Sequence, residues 1–406
     1  MEGYNFPWSN MHELNLDWLL REVKNIQITQ QDVEDIRDMY AQFSPYLFPT
    51  VKTYGAVGDG VTDDTQAIID CIMNESIVIF PPGTYKIDSQ LEFSSIKDKY
   101  LVGWPHAELD VAAFRPGFSY CENIVVDHLT FTGSHNGNPS TTTTLTFYYC
   151  KNVIVKNSRF LNALNVGLQF SNCGQVWVEN CEVANAKGSC GISFSTDAMS
   201  ESSQYGMLSN RYVFGCWCHH NGLDGIIADA HNVTISNCIL NDNGTRINAG
   251  GVYAQAHHHL RIIDTICNNN SGNGIDLDNC ADVRVMQCTC SRNLSAGIMF
   301  AACRGSTIRD CYCSANGASP QYDGYAYQEG GIALIRKLIN GVNVSCDNIA
   351  ISGCTLDSNA QYGIRLYQTN DCCIDNLVCQ SNGTAKMYLE GYWKESDYTN
   401  VFTPMT

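Results

Sequence analysis

Positive charge is what this chain has least of. Of 406 residues, 24 are Lys or Arg against 41 Asp or Glu, a formal net charge of −17. Nucleic-acid binding needs clustered Lys and Arg on phosphates, so this balance argues against nucleic acid and against an anionic membrane surface. A neutral or basic ligand is easier to accept than a strongly anionic one. No stretch approaches the roughly 18 apolar residues that a membrane helix requires, so no membrane insertion is expected. The N-terminus lacks a basic segment followed by an apolar one, so no signal peptide is expected and synthesis is placed in the cytoplasm. Metal-ligand spacing is missing too. Consecutive side chains on a strand point to opposite faces, which makes His257-His258-His259 a poor chelate. No metal and no cofactor is expected.

What is present is repetition. Asn279-Cys280 recurs as Ala302-Cys303, Cys288-Thr289-Cys290 as Cys311-Tyr312-Cys313, and Gly274-Ile275 as Gly297-Ile298, each 23 positions on. Three short strands and their turns fit that length at roughly 5–6 residues per strand. Each unit is too small to bury its own apolar face, so it must stack on its neighbours around one long core. The 21 cysteines follow the same period. Cys181, Cys238, Cys288, Cys311 and Cys354 form one column, and Cys267, Cys290, Cys313 and Cys379 another two residues later. Inward-pointing free thiols are the expected reading, with Cys acting as a small hydrophobe. The odd count and the column pattern fit a reducing compartment. Asn221, Asn243, Asn270, Asn293, Asn316, Asn359 and Asn382 recur at one turn, which predicts a ladder of side-chain amides bonded along the stack.

Four regions are expected. Residues 1–48 carry a leader and an α-helix, with Asn10 and Glu13 as a capping box and a near-heptad series from Leu16 to Phe43. That helix either packs on its own body or forms a trimeric coil or docking element. Residues 49–118 form a cap and first coils, 119–383 the main repeat, and 384–406 a C-terminal cap. A short helix from Asp64 to Met73 follows Thr62 or Asp63 as cap. Residues 196–210 and 317–329 interrupt the repeat. The second insertion carries Tyr322, Tyr325 and Glu329, which suit either ligand contact or cover for an edge or subunit contact.

Two stretches resemble known families. Thr53-Tyr54-Gly55-Ala56-Val57-Gly58-Asp59-Gly60-Val61-Thr62-Asp63-Asp64, with Phe80-Pro81-Pro82-Gly83-Thr84-Tyr85, resembles the opening of pectate-lyase-like right-handed parallel β-helix proteins. That group includes polygalacturonases and many phage tailspikes. The resemblance implies an all-β, right-handed, single-stranded parallel β-helix and a structural role for Asp59, Asp63 and Asp64. Asn5-Phe6-Pro7-Trp8-Ser9-Asn10-Met11-His12-Glu13-Leu14-Asn15-Leu16-Asp17-Trp18 resembles the particle-attachment leader of phage appendage proteins. It implies attachment to other tail or capsid proteins through Phe6, Trp8, Leu14 and Trp18. Together the two imply a virion tailspike or tail fibre, made in the host cytoplasm, a homotrimer, that recognises host surface glycan.

Glycan cleavage needs two carboxyl groups about 5–9.5 Å apart across the scissile bond. Aligning the strands after each Gly-Ile pair gives outward positions Gln169, Ser193, Ile227, Tyr253, Asp276, Met299, Ala333 and Arg365. Two residues on come Ser171, Ser195, Asp229, Gln255, Asp278 and Ala301. Asp276 and Asp278 share a face, and Asp229 lies two coils below Asp278. Asp276 is the expected acid and Asp278 or Asp229 the expected base. Asp224 is a further candidate, and Tyr253, Gln255 and Arg365 are expected substrate contacts. The same residues also suit binding without turnover or a merely solubilising surface. The motifs of a polygalacturonase are absent. Gly222-Leu223-Asp224 stands where its Asn-Thr-Asp would be and Asn248-Ala249-Gly250-Gly251 where its paired Asp would be, and its Gly-His-Gly and Arg-Ile-Lys have no counterpart. A calcium-dependent lyase pattern is not visible either.

Overall fold

A computed structural model describes residues 49–104, 107–111, 116–133, 143–196, 209–246, 249–319, 321–322 and 327–390. The N-terminal helix, the attachment residues Phe6, Trp8, Leu14 and Trp18, most of the 196–210 insertion, and Tyr325 lie outside the described residues.

The repeat folds as a parallel β-helix. Three long sheets run the length of the stack, and in each one every neighbouring pair of strands is parallel and comes from successive coils. We name the sheets by their sequence signatures. The Gly-Ile sheet holds 12 strands, from Glu92–Ser94 to Ala385–Glu390. The Val sheet holds 12, from Ile77–Phe80 to Cys373–Asp375, and the Cys sheet 13, from Asp59–Asp63 to Val378–Gln380.

One continuous core fills the space between them. Inside the Gly-Ile sheet, Phe93, Phe118, Phe147, Phe170 and Phe194 stack with centroids 5.1, 5.4, 5.3 and 5.2 Å apart. Inside the Cys sheet, Cys267, Cys290 and Cys313 are directly paired in register, and Cys379 follows beyond Leu356. The other expected column is present and gains Cys216. Its thiols donate to carbonyls of the coil before, Cys288 to Ile262 at 3.4 Å and Cys311 to Val285 at 3.7 Å. All 21 cysteines are free, and only Cys373 is exposed.

The asparagine ladder is continuous from Asn221 to Asn382. Asn270 Nδ2 donates to Asn293 Oδ1 at 3.0 Å, and Asn293 Nδ2 to Asn316 Oδ1 at 3.0 Å. Each Nδ2 also reaches a backbone carbonyl, as Asn293 does to Cys267 at 2.9 Å. This ladder explains the Gly-Ile signature. A Cβ on Gly274 would lie 2.8 Å from Asn293 Nδ2 and 2.5 Å from the Gly297 carbonyl.

At the N-terminal end the helix spans Thr65–Asn74, with Asp64 as its cap residue. The Asp64 carboxylate turns back to accept from Val57 N (2.6 Å) and Gly58 N (3.1 Å), while Asp63 Oδ1 accepts from Thr65 N at 3.0 Å. Asp59 closes its own turn, accepting from Val61 N and Thr62 N at 2.8 Å each. All three carboxylates serve the backbone. At the other end the repeat runs past residue 383. Ala385–Glu390 pairs in parallel with Tyr362–Tyr367, and Met387 and Leu389 pack on the core. The Gly-Ile pair is lost there, but the alternation of apolar residues is kept, and alternation suffices to place a strand.

Two hairpins leave the stack. Gln321–Tyr322 pairs antiparallel with Tyr327–Gln328, and Lys337–Ile339 with Val342–Val344. In chain order they follow, one each, the strands Ile298–Ala301 and Ile332–Ile335 of the Gly-Ile sheet, whose outward positions are apolar. Met299, Ala301, Ala333 and Ile335 are buried there in a second, smaller cluster with Ala296 and Tyr367.

Candidate active site on the Gly-Ile sheet

The strands Ile226–Asp229, Val252–Gln255 and Ile275–Asp278 are successive in the Gly-Ile sheet. Tyr253 pairs with Asp276 and Gln255 with Asp278, while Ile227 pairs with Tyr253. Asp224 precedes the first of these strands. The register expected from the sequence is therefore the register of the fold, and it brings Asp224, Asp229, Asp276, Asp278, Tyr253 and Gln255 together.

Their environments differ. Asp224 is 8% exposed, and its Oδ1 accepts from Gly250 N at 2.6 Å. Burial pushes its carboxyl up to about 7, the Gly250 bond opposes this, and the neighbouring Asp276 and Asp229 charges add to the rise. Asp229 is half-buried and accepts from Gln255 N at 2.9 Å. Burial raises its carboxyl as well, against that bond, with Asp278 adding to the rise. Asp276 is half-buried and accepts from Asn273 Nδ2 at 2.9 Å. The Tyr253 hydroxyl is pushed up by burial first and then by all four aspartates.

Asp278 is 2% exposed, and Lys337 Nζ and Gln255 Nε2 (3.2 Å) donate to its Oδ2. This departs from the expectation of an outward, available base. Lys337 opens the second hairpin, so its ammonium comes from a segment off the repeat. Sequence reasoning missed it, although the signal was present. Asn340-Gly341 has φ of +50° and +79°, the two-residue turn that closes a hairpin of this type.

Arg365 and Glu329 also depart from their expected role as ligand contacts. They are 6% and 4% exposed and form an ion pair with each other, and Arg365 lies over the Tyr388 ring with 5.3 Å to the centroid. Burial raises the Glu329 carboxyl, and Arg365 opposes this. The pair fastens the end of the 317–329 insertion to the sheet. A buried charge left without its partner costs far more than a surface one, so the pair holds that segment in place. Tyr322 lies in the first hairpin, away from the register of the aspartates.

Residues 48–276 match the family described as rhamnogalacturonase A/epimerase, pectate lyase-like, over more than half of the chain. The chain belongs to this family. Within the pectate-lyase-like fold it is similar to proteins of several kinds. It is 25% identical over 259 residues to the pre-neck appendage protein of Bacillus phage B103, a match covering 52% of this chain and 27% of that relative. The chain thus spans about a quarter of the length of that relative. Pre-mature gene product 12 of bacteriophage phi29 superposes with a TM-score of 0.56 at 18% identity, covering 88% of this chain and 58% of that one. The surface adhesin PfbA of Streptococcus pneumoniae gives a TM-score of 0.57 at 15% identity, covering 84% and 90%. At these identities the structural likeness speaks for the fold alone.

Proposed function

We propose that this chain is a homotrimeric virion appendage protein that binds a neutral host-surface polysaccharide on its Gly-Ile sheet and hydrolyses it. Residues 1–48 attach it to the particle through Phe6, Trp8, Leu14 and Trp18. The observation that carries the catalytic reading is the difference among the aspartates. Asp224 is buried and its carboxyl is pushed up to about 7, while Asp276 beside it is only half-buried, and two carboxyls of one site in such different surroundings suit the roles of acid and base. Asp224 donates its proton to the glycosidic oxygen as the bond to the anomeric carbon breaks. Asp276 takes a proton from the water that attacks that carbon. The acid role thus falls to Asp224 rather than Asp276, because Asp224 is the more deeply buried of the two. Asp229 and Gln255 position the pair, and Tyr253 offers a ring face to a sugar. The acidic cluster disfavours a polyuronate ligand.

A second reading, an adhesin without turnover, is favoured by Lys337, which already neutralises Asp278. Reducing-end release from host capsule or cell-wall glycan separates the two. Wild type is expected to release ends, with Asp224→Asn and Asp276→Asn each slower by about 10²–10⁴. Binding without release would leave the adhesin.

A further inference from the structure

The first coils of the Gly-Ile sheet carry a second feature, away from the aspartates. Glu92 pairs with Gly117 and Gly117 with Thr146, while Ser119 pairs with Tyr148 and Tyr148 with Ser171. An open cavity of about 210 Å³ lies on these outward positions, lined by Glu92, Ser119, Thr146, Tyr148 and Ser171. Thr146 Oγ1 is buried in its floor without a hydrogen-bond partner among the described residues. Buried hydroxyls are ordinarily paired, so this one calls for a partner.

Three tyrosines stand at the edge. Tyr148 is 39% exposed and Tyr120 58%. The rings of Tyr120 and Tyr149 stack at 5.3 Å with 2° between their planes. Tyr148 meets both edge-on, at 6.1 and 4.5 Å. Tyr120 and Tyr149 both have left-handed backbones, φ +57° and +51°, at the turn that follows each Gly-Ile strand. Other coils place Ser95, Asn172, Ala256, Asn279, Ala302 and Gln368 at that turn, left-handed as well. Asparagine accepts this conformation readily and a bulky aromatic residue does not. Two adjacent coils therefore place bulky rings at a turn that no other described coil fills with an aromatic residue.

We propose that Tyr148, backed by Tyr120 and Tyr149, forms with Glu92, Ser119, Thr146 and Ser171 a second carbohydrate subsite for a neutral pyranose. The apolar face of the sugar ring lies on an exposed tyrosine ring. Its hydroxyls donate to the Glu92 carboxylate and exchange hydrogen bonds with Ser119, Thr146 and Ser171. Glu92 repels a uronate. The subsite rests on the reading of this protein as a polysaccharide-binding appendage. Five coil steps separate the strand of Tyr148 from that of Asp276, about 24 Å at the spacing of neighbouring strands, so a chain and not a single sugar spans both sites.

The test is binding of the full-length protein to a panel of hexasaccharides built from neutral hexoses, N-acetylhexosamines or hexuronic acids. Wild type is expected to bind at least one neutral member. Tyr148→Ala should weaken that binding roughly tenfold, the order expected for one lost aromatic face. The double variant Tyr120→Asn with Tyr149→Asn should weaken it similarly while melting no lower than wild type, because asparagine accepts the left-handed turns readily. Unchanged affinity in the tyrosine variants overturns the subsite and leaves the aspartate site standing. Preference for the uronates overturns its assignment to neutral sugars. A double variant that melts lower overturns the backing role of Tyr120 and Tyr149, and Tyr148→Ala alone then decides the subsite. Failure of wild type to bind any member overturns both this inference and the reading it rests on.

Discussion

Asp224 is buried, and burial makes it hold its proton to higher pH than a free aspartate does. Its carboxyl is pushed up to about 7 in the fold against about 3.9 for a free aspartate. The folded protein therefore holds a proton between about pH 4 and pH 7 that the unfolded chain has released. Below that window the two states are protonated alike. Through it stability falls as pH rises, by a few kcal/mol in all, and above about pH 7 the contribution is gone. Asp224→Asn should flatten that part of the stability profile, measured by urea midpoints between pH 4 and 8. A variant with the slope of wild type would place the raised carboxyl elsewhere.

The turn and the strand after it act as one element. The asparagine of each coil bonds the next, and the glycine before the strand leaves room for that amide. Removing one rung strands its partners in a buried place. Asn293→Ala takes away the acceptor of Asn270 and the donor to Asn316 and Cys267. It should cost about 1–3 kcal/mol, the price of leaving buried polar groups unsatisfied, read as a shift in the denaturation midpoint. Asn382→Ala, at the less buried end of the ladder, should cost less. Elements on the period are legible in the sequence for a physical reason. Parallel pairing in a fixed register forces Cys290 over Cys267 and Asp278 over Gln255, so counting 23 residues is enough. The Lys337–Val344 hairpin is not on the period. What it reaches, Asp278, cannot be counted out, although Asn340-Gly341 marks its turn. The same holds for Glu329 and Arg365, whose pairing depends on how the 317–329 insertion folds back. The repeat also outlasts its signature, because Ala385–Glu390 needs only alternation to join the stack.

At the scale of the whole molecule, a solenoid turns a one-dimensional repeat into a flat face with a long axis. On the Gly-Ile sheet that face carries tyrosines and hydroxyls over the first coils, small polar residues between, and the aspartates further along. Beyond them the same face is closed by Met299, Ala333 and Ile335. The proposed ligand contacts thus occupy the first two thirds of one sheet, an arrangement suited to a polymer more than to a compact ligand. The measurement that tests this most directly is the pH dependence of reducing-end release from host-surface glycan. If Asp224 is the proton donor, kcat/KM should fall on the alkaline side with a midpoint near pH 7, following its raised carboxyl. A rate that holds level through pH 7 to 9 would contradict that assignment, and no release at any pH would remove hydrolysis from this face altogether.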